Sequence, residues 1–229
     1  MASGISGADR LPYPGFFSGA DPILFDNADR LANWKKTPGA KMLIEKTDLE
    51  GVLILTPKRF GDDRGWFCET FNAARAAEAG LGMVFVQDNH SMSARAGTLR
   101  GLHFQSPPHA QDKLVRCSRG AIFDVAVDIR RGSPTFGKWT GVELTEANGR
   151  QLLVPKGFLH GFVTRADFTE VQYKCSDLYA PDCDGAVRWD DPDIGIDWGL
   201  AGVPVLSAKD SAAPLFRDFV SPFVHEGAR

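Results

Sequence analysis

The ten residues Ala121-Ile122-Phe123-Asp124-Val125-Ala126-Val127-Asp128-Ile129-Arg130 constrain this chain more than any other stretch. Phe123, Val125, Val127 and Ile129 share one parity, while Asp124, Asp128 and Arg130 share the other. A period of two marks an extended strand with one apolar and one polar face. Similar short runs recur between Gly, Pro and Asp residues at 52–55, 84–87, 114–117, 141–144, 151–154, 162–164 and 170–174. Short strands spaced by turn residues predict an all-β sandwich or barrel.

Helices are few in this reading. The Ala-rich segment 72–79 is stopped by Gly80 and Gly82, as a C-terminal glycine stops a helix. The Pro- and Asp-rich stretch 181–198 reads as loop, and Ser207-Ala208-Lys209-Asp210 reads as a cap leading into a short helix near 212–219. Residues 1–41 have a different texture, rich in Gly, Ser, Ala, Asp and Pro with scattered aromatics, and are expected to be an N-terminal extension. The single folded domain is expected over 42–229.

With 43% hydrophobic residues, 229 residues suffice to bury a proper core. A net charge of -3 supplies no global basic field, which disfavours nucleic acid and membrane surfaces as partners. No apolar run approaches the length of a membrane span. Cys68, Cys117, Cys175 and Cys183 show neither a C-x-x-C pair nor zinc-type spacing, so they read as reduced thiols of a cytoplasmic protein.

Two histidine-bearing segments stand out: Leu99-Arg100-Gly101-Leu102-His103-Phe104-Gln105, and Gly149 through Pro155-Lys156-Gly157-Phe158-Leu159-His160. The second fits Gly-x5-Pro-x-Gly-x2-His, the second half-motif of the cupin barrel, in which a tight turn delivers the histidine onto the returning strand. The first half-motif, His-x-His followed by a glutamate, is absent, and no carboxylate stands at ligand spacing near His103 or His109. A three- or four-ligand metal cage is therefore hard to build. The expectation is a cupin-type jelly roll that works without metal or other cofactor.

Asp63-Arg64-Gly65-Trp66-Phe67-Cys68-Glu69-Thr70-Phe71, the segment around His103, Lys113-Leu114-Val115, the segment around His160, and Tyr173-Lys174 with Tyr179 resemble the dTDP-4-dehydrorhamnose 3,5-epimerase family. The resemblance runs from Met42 to about Pro214. Met42 sits where family members commonly begin, so the preceding residues are a departure.

Epimerising a 4-keto sugar at C3 and C5 needs a base on one face of the ring, an acid on the other and stabilisation of the enolate between. The resemblance makes His103 the base, oriented by Asp210. General base catalysis of this kind contributes roughly 10²–10⁴-fold. It makes Tyr173 the acid and places Lys113 beside the ketone oxygen, where a fixed cation favours the developing enolate over the neutral ground state. Arg64, Arg100 and His160 become substrate contacts, since guanidinium groups match the oxygens of a pyrophosphate. Phe67 and Glu69 fall near the base and sugar of the nucleotide, Tyr179 shapes the pocket, and Gln87 and Asn89 offer further hydrogen bonds. The implied partners are a dTDP-linked 4-keto-6-deoxy sugar and a second copy of the chain, because the family's Arg64 segment reaches into its neighbour's pocket.

Taken without the resemblance, several of these residues have ordinary readings. Arg64 beside Asp62 and Asp63 is a turn residue paired with acids, and Tyr173 between Val171 and Cys175 is a core tyrosine. His90 and His225 read as solvated or locally bonded, and His109 as loop. Arg100 and His103 differ in parity, so both enter one pocket only if the strand bends between them, which Gly101 permits. Three other functions stay open: inversion at C3 alone or on another nucleotide carrier, a non-catalytic cupin that binds a sugar through His160 and Arg100, and a metal-dependent cupin enzyme.

Overall fold

The computed structural model describes residues 42–227, which lie within a unit formed by residues 39–229. The expected extension, residues 1–41, lies outside the described residues. Among the described residues, thirteen strands and two short helices follow in chain order: β1 (Leu43–Lys46), β2 (Leu53–Thr56), β3 (Arg59–Asp62), β4 (Gly65–Cys68), α1 (Ala73–Glu78), β5 (Gln87–Ser93), β6 (Leu99–Gln105), β7 (Lys113–Arg119), β8 (Ala121–Asp128), β9 (Trp139–Thr145), β10 (Gln151–Val154), β11 (Phe158–Thr164), β12 (Thr169–Cys175), β13 (Asp184–Ala186) and α2 (Ala208–Ser211). A six-stranded sheet, β1-β2-β10-β7-β12-β5, faces a five-stranded one, β13-β6-β11-β8-β9, and β3 and β4 form a separate hairpin. Every pairing within these sheets is antiparallel. The all-β sandwich expected from the sequence is what the chain forms.

Three apolar layers hold the sandwich. Between the sheets, Val115, Val171 and Leu152 of one meet Ile122, Ala126, Phe158 and Phe162 of the other. Outside the five-stranded sheet, Leu99, Leu102, Val125, Val127, Leu159 and Val163 are covered by Val187, Ile194 and Trp198 and by Phe216, Phe219 and Phe223. Outside the six-stranded sheet, Leu55, Leu114 and Leu153 pack under Ala76 of α1 with Phe71, Met83 and Phe85. Each such side chain removed from water contributes roughly 1.5–3 kcal/mol.

The five-stranded sheet therefore has no solvent face, and the two parities of β8 are both covered. Its apolar parity, Val125 and Val127, turns away from the other sheet and is sealed by the C-terminal part of the chain. Its polar parity turns inward, and Asp124 and Asp128 are both fully buried. Asp128 is satisfied by Arg130, Ser133 and Thr135. Asp124 serves the interior cavity described below.

β6 carries the bend that Arg100 and His103 require. Arg100 pairs with Phe162 and His103 with His160, so two residues of β6 stand against Gly161 of β11 and the register shifts. Leu99 and Leu102, three apart, both join the outer apolar layer, which a regular strand of period two cannot achieve. Gly101 has φ +134, and a Cβ on it would lie 2.6 Å from the Gly161 Cα. Only glycine fits there.

Other boundaries move as well. The run expected at 84–87 is not a strand; the strand is Gln87–Ser93, on the edge of its sheet. Helix α1 matches the expectation, with Asn72 accepting from the Arg75 amide as its cap. Within 181–198, expected to be loop, Pro181–Cys183 forms a 3-10 turn and β13 pairs with β6. Ser207 does cap a helix, but the helix is the four residues of α2, and 212–219 holds only a 3-10 turn at Phe216–Asp218. Pro214 disfavours helical backbone at the residue before it.

Gly101→Ala should therefore cost about 2 kcal/mol or more of stability, since it combines a left-handed φ with a backbone collision. Denaturant unfolding checks the cost. Wild-type stability in this variant would mean that the bulge tolerates a side chain.

Candidate active site

The two sheets open around a cavity of about 410 Å³. From the five-stranded sheet come Arg100 and His103 of β6 and His160 of β11; from the six-stranded sheet come Ser91 of β5, Lys113 of β7 and Tyr173 of β12. Asp210 and Lys209 of α2 close one side. An adjoining lobe of about 220 Å³ shares His103, Lys113, Tyr173 and Lys209 and adds Gln87, Asn89 and Tyr179. Nine of the twelve residues singled out in the sequence thus meet in one place.

His103 is held through Nε2, which lies 2.5 Å from Asp210 Oδ1. Burial raises the Asp210 carboxyl, but the hydrogen bonds from His103 and Ser207 and the nearby charges outweigh it, so the group sits below its ordinary value of 3.8. An ionised carboxylate only accepts, so Nε2 is the donor and the proton on it faces Asp210. Nδ1 has no hydrogen-bond partner among the described residues. An imidazole so oriented is able to act as a base.

His160 pairs through Nε2 with Asp124 Oδ1 at 2.8 Å, entirely inside the sandwich. Lys113 makes no hydrogen bond or ion pair among the described residues. Burial pulls its ammonium below the usual 10.5, partly opposed by Cys175, Asp184 and Asp124. A poorly solvated cation is well placed to answer an oxyanion formed beside it. Burial, followed by Cys175, pushes the Tyr173 phenol above 10, against Arg100 and Asn89. The phenol accordingly holds its proton at neutral pH.

At the mouth, Arg100 donates to Ser93 Oγ at 3.4 Å and to the Met92 carbonyl at 3.3 Å. Gln87 donates to Asn89 at 3.1 Å and accepts from the Tyr179 amide at 2.9 Å. The Tyr179 hydroxyl donates to Asp184 at 3.2 Å, and Lys209 pairs with the same carboxylate. Lys209, Ser91, Asp124 and Phe162 were not singled out by sequence reasoning. The β8 and β11 parities carried a signal for Asp124 and Phe162; β5, almost wholly polar, carried none for Ser91.

Three expected site residues stand elsewhere. Arg64 sits at the turn of the β3–β4 hairpin with its side chain 90% exposed, donating to Asp62 at 2.5 Å. Phe67 on β4 is 69% exposed. Glu69 accepts from Arg75 at 2.7 Å and from Asn72 at 3.2 Å. None of the three lines the cavity of its own chain. His90, His109 and His225 pair with Glu170, Asp177 and Glu50 away from it. Among the described residues, no three His, Cys, Asp or Glu side chains are grouped so as to hold a metal ion. No helix among them is long and apolar enough to cross a membrane.

Asp210→Asn should leave His103 without its anionic partner and lower turnover by at least about 10²-fold. Because the Asp210 carboxyl lies below its unfolded value, its contribution to stability is complete above about pH 4 and fades as pH falls through the lower folded value. The gap in melting temperature between wild type and variant should close on acidification below about pH 4. A gap that stays constant from neutral to acid pH would contradict this assignment.

Comparison with known proteins agrees with the geometry. A curated dTDP-4-dehydrorhamnose 3,5-epimerase from Salmonella typhimurium is 53% identical over 175 residues, covering 76% of this chain and 95% of that one. The Bacillus anthracis dTDP-4-dehydrorhamnose 3,5-epimerase, solved with TDP and PPi bound, superposes with a TM-score of 0.75 at 48% identity, over 77% of this chain and 100% of that one. A Legionella pneumophila 3,5-epimerase in complex with dTDP-4-keto-L-rhamnose does so with a TM-score of 0.75 at 47% identity, over 77% and 94%. The model of the dTDP-4-dehydrorhamnose 3,5-epimerase family matches residues 46–218, and the chain belongs to that family.

Proposed function

We propose that this protein is an epimerase that inverts C3 and C5 of dTDP-4-keto-6-deoxy-D-glucose, a step toward dTDP-L-rhamnose or a related deoxysugar. The observation that carries the reading is an imidazole and a phenol from opposing sheets lining one cavity, with the Lys113 ammonium lining it as well. His103 Nδ1 takes the proton from the carbon next to the ketone, and the C–H electron pair moves onto the C4 oxygen. Lys113 stabilises the resulting enolate, and His160 is a substrate contact beside it. Tyr173 then gives its proton to the opposite face of the same carbon, after which His103 releases its proton to solvent and solvent reprotonates the phenolate. Arg100, Gln87, Asn89 and Tyr179 at the mouth suit the nucleotide end, whose phosphates accept hydrogen bonds from the guanidinium. The free thiols of all four cysteines fit the cytoplasm.

Incubation with dTDP-4-keto-6-deoxyglucose in heavy water tests the chemistry. Wild type should incorporate deuterium at C3 and C5 and give the inverted product. His103→Ala should abolish incorporation, whereas Tyr173→Phe should permit exchange with impaired inversion. No exchange by wild type with any nucleotide-linked 4-keto sugar would remove the assignment.

Arg64, Phe67 and Glu69 take their proposed substrate roles in a homodimer, each hairpin serving the neighbouring copy's cavity. The exposure of Arg64, Phe67 and Trp66, the last at 59%, supports a surface made to be covered. Arg64→Ala and His103→Ala then damage different subunits' contributions to one site. Mixing the two inactive variants under conditions of subunit exchange should restore part of the activity. Mixtures no more active than their components would place Arg64 outside the neighbour's site.

A further inference from the structure

The inward face of the edge strand β5 is polar along its whole length: Gln87, Asn89, Ser91 and Ser93. Three of the four are committed. Gln87 bonds Asn89 and the Tyr179 amide, Asn89 donates to Cys175 Sγ at 3.6 Å, and Ser93 accepts from Arg100. Ser91 is the exception: its Oγ is enclosed and has no hydrogen-bond partner among the described residues. Burying a hydroxyl without a partner is unfavourable, and an alanine would fill the same space without that loss.

The surroundings of Ser91 say what the hydroxyl is for. Ser91 pairs with Val171 and Asn89 with Tyr173, which makes Ser91 and Tyr173 diagonal neighbours on the inward face. On its other side, Arg100 reaches over β5 to Met92 and Ser93. Ser91 lines the 410 Å³ cavity between these two side chains. A sugar ring seated against Tyr173 lies beside it, and a χ1 turn of about 120° to a neighbouring rotamer well aims Oγ at that ring.

We propose that Ser91 is a further substrate-contacting residue, its hydroxyl exchanging a hydrogen bond with a ring hydroxyl of the keto sugar. This rests on the epimerase reading above. The contact recognises the sugar and not the nucleotide, so it favours the intact substrate over the nucleoside diphosphate alone. Being present before and after proton transfer, it acts chiefly on binding.

The test is steady-state kinetics of wild type, Ser91→Ala and Ser91→Cys with dTDP-4-keto-6-deoxyglucose, together with calorimetric binding of dTDP. Cysteine keeps the side chain's shape but is a poor hydrogen-bonding group, so it serves where alanine disturbs folding. In both variants KM should rise about 3- to 10-fold, the effect of one neutral hydrogen bond, and account for most of the loss in kcat/KM. The affinity for dTDP should stay at the wild-type value. A KM unchanged in both variants, or dTDP affinity falling by the same factor as KM, overturns the role of Ser91 while leaving the epimerase reading intact. Wild type inert toward keto-sugar nucleotides overturns that reading, and this inference with it.

Discussion

The close approach of two backbones at Gly101 and Gly161 is the constraint on which the site depends. A β-strand presents alternate residues to opposite faces, so Arg100 and His103 on a regular strand point apart. Two residues of β6 set against one of β11 shift the phase by one, and both side chains reach the same cavity. With His160 already there from β11, the five-stranded sheet gathers a guanidinium and two imidazoles within a few residues. Neither glycine contributes a side chain, yet the arrangement of three functional groups follows from their lack of one.

The same logic explains how carboxylates are used. Asp124 and Asp210 are both buried, and each tethers one imidazole through Nε2. A buried carboxylate is costly unless hydrogen bonded. Asp210 is bonded through both oxygens, whereas Asp124 is bonded through Oδ1 and its buried Oδ2 has no partner among the described residues. The two tethers come from different places: Asp124 from a neighbouring strand of the same sheet, Asp210 from a short capped helix after the last strand. The tether of His160 is therefore part of the sheet itself, while that of His103 is brought to it from outside.

Much of this was readable in the residues, and the failures have physical causes. The alternation in β8 identified its strand and its two parities correctly, but not which face meets solvent, because a sheet covered on both sides leaves neither face to water. Gly101 signalled the bend between Arg100 and His103 because a residue without a Cβ is the usual device for changing strand phase. β5 was displaced because Gln87-Asp88-Asn89-His90-Ser91-Met92-Ser93 has almost no hydrophobic content. Its inward residues face a polar cavity, where function overrides the patterning rule. Ser207 is legible as a cap, but the helix it starts is only the four residues of α2, since Pro214 disfavours helical backbone just beyond. Arg64, Phe67 and Glu69 came from resemblance alone, and no feature of one chain's cavity would have singled them out.

The covering of the five-stranded sheet's outer face has a last consequence. Ile194, Trp198, Phe216, Phe219 and Phe223 seal that face, and the segment connecting them includes α2 with Asp210. One strap both waterproofs the sheet and steers the imidazole. If it peels away while the strands stay paired, the fold persists as a sandwich with a greasy flank and an unaimed histidine. In that event the aim of His103 and the cover over the sheet's apolar face are lost together, with the strands still paired.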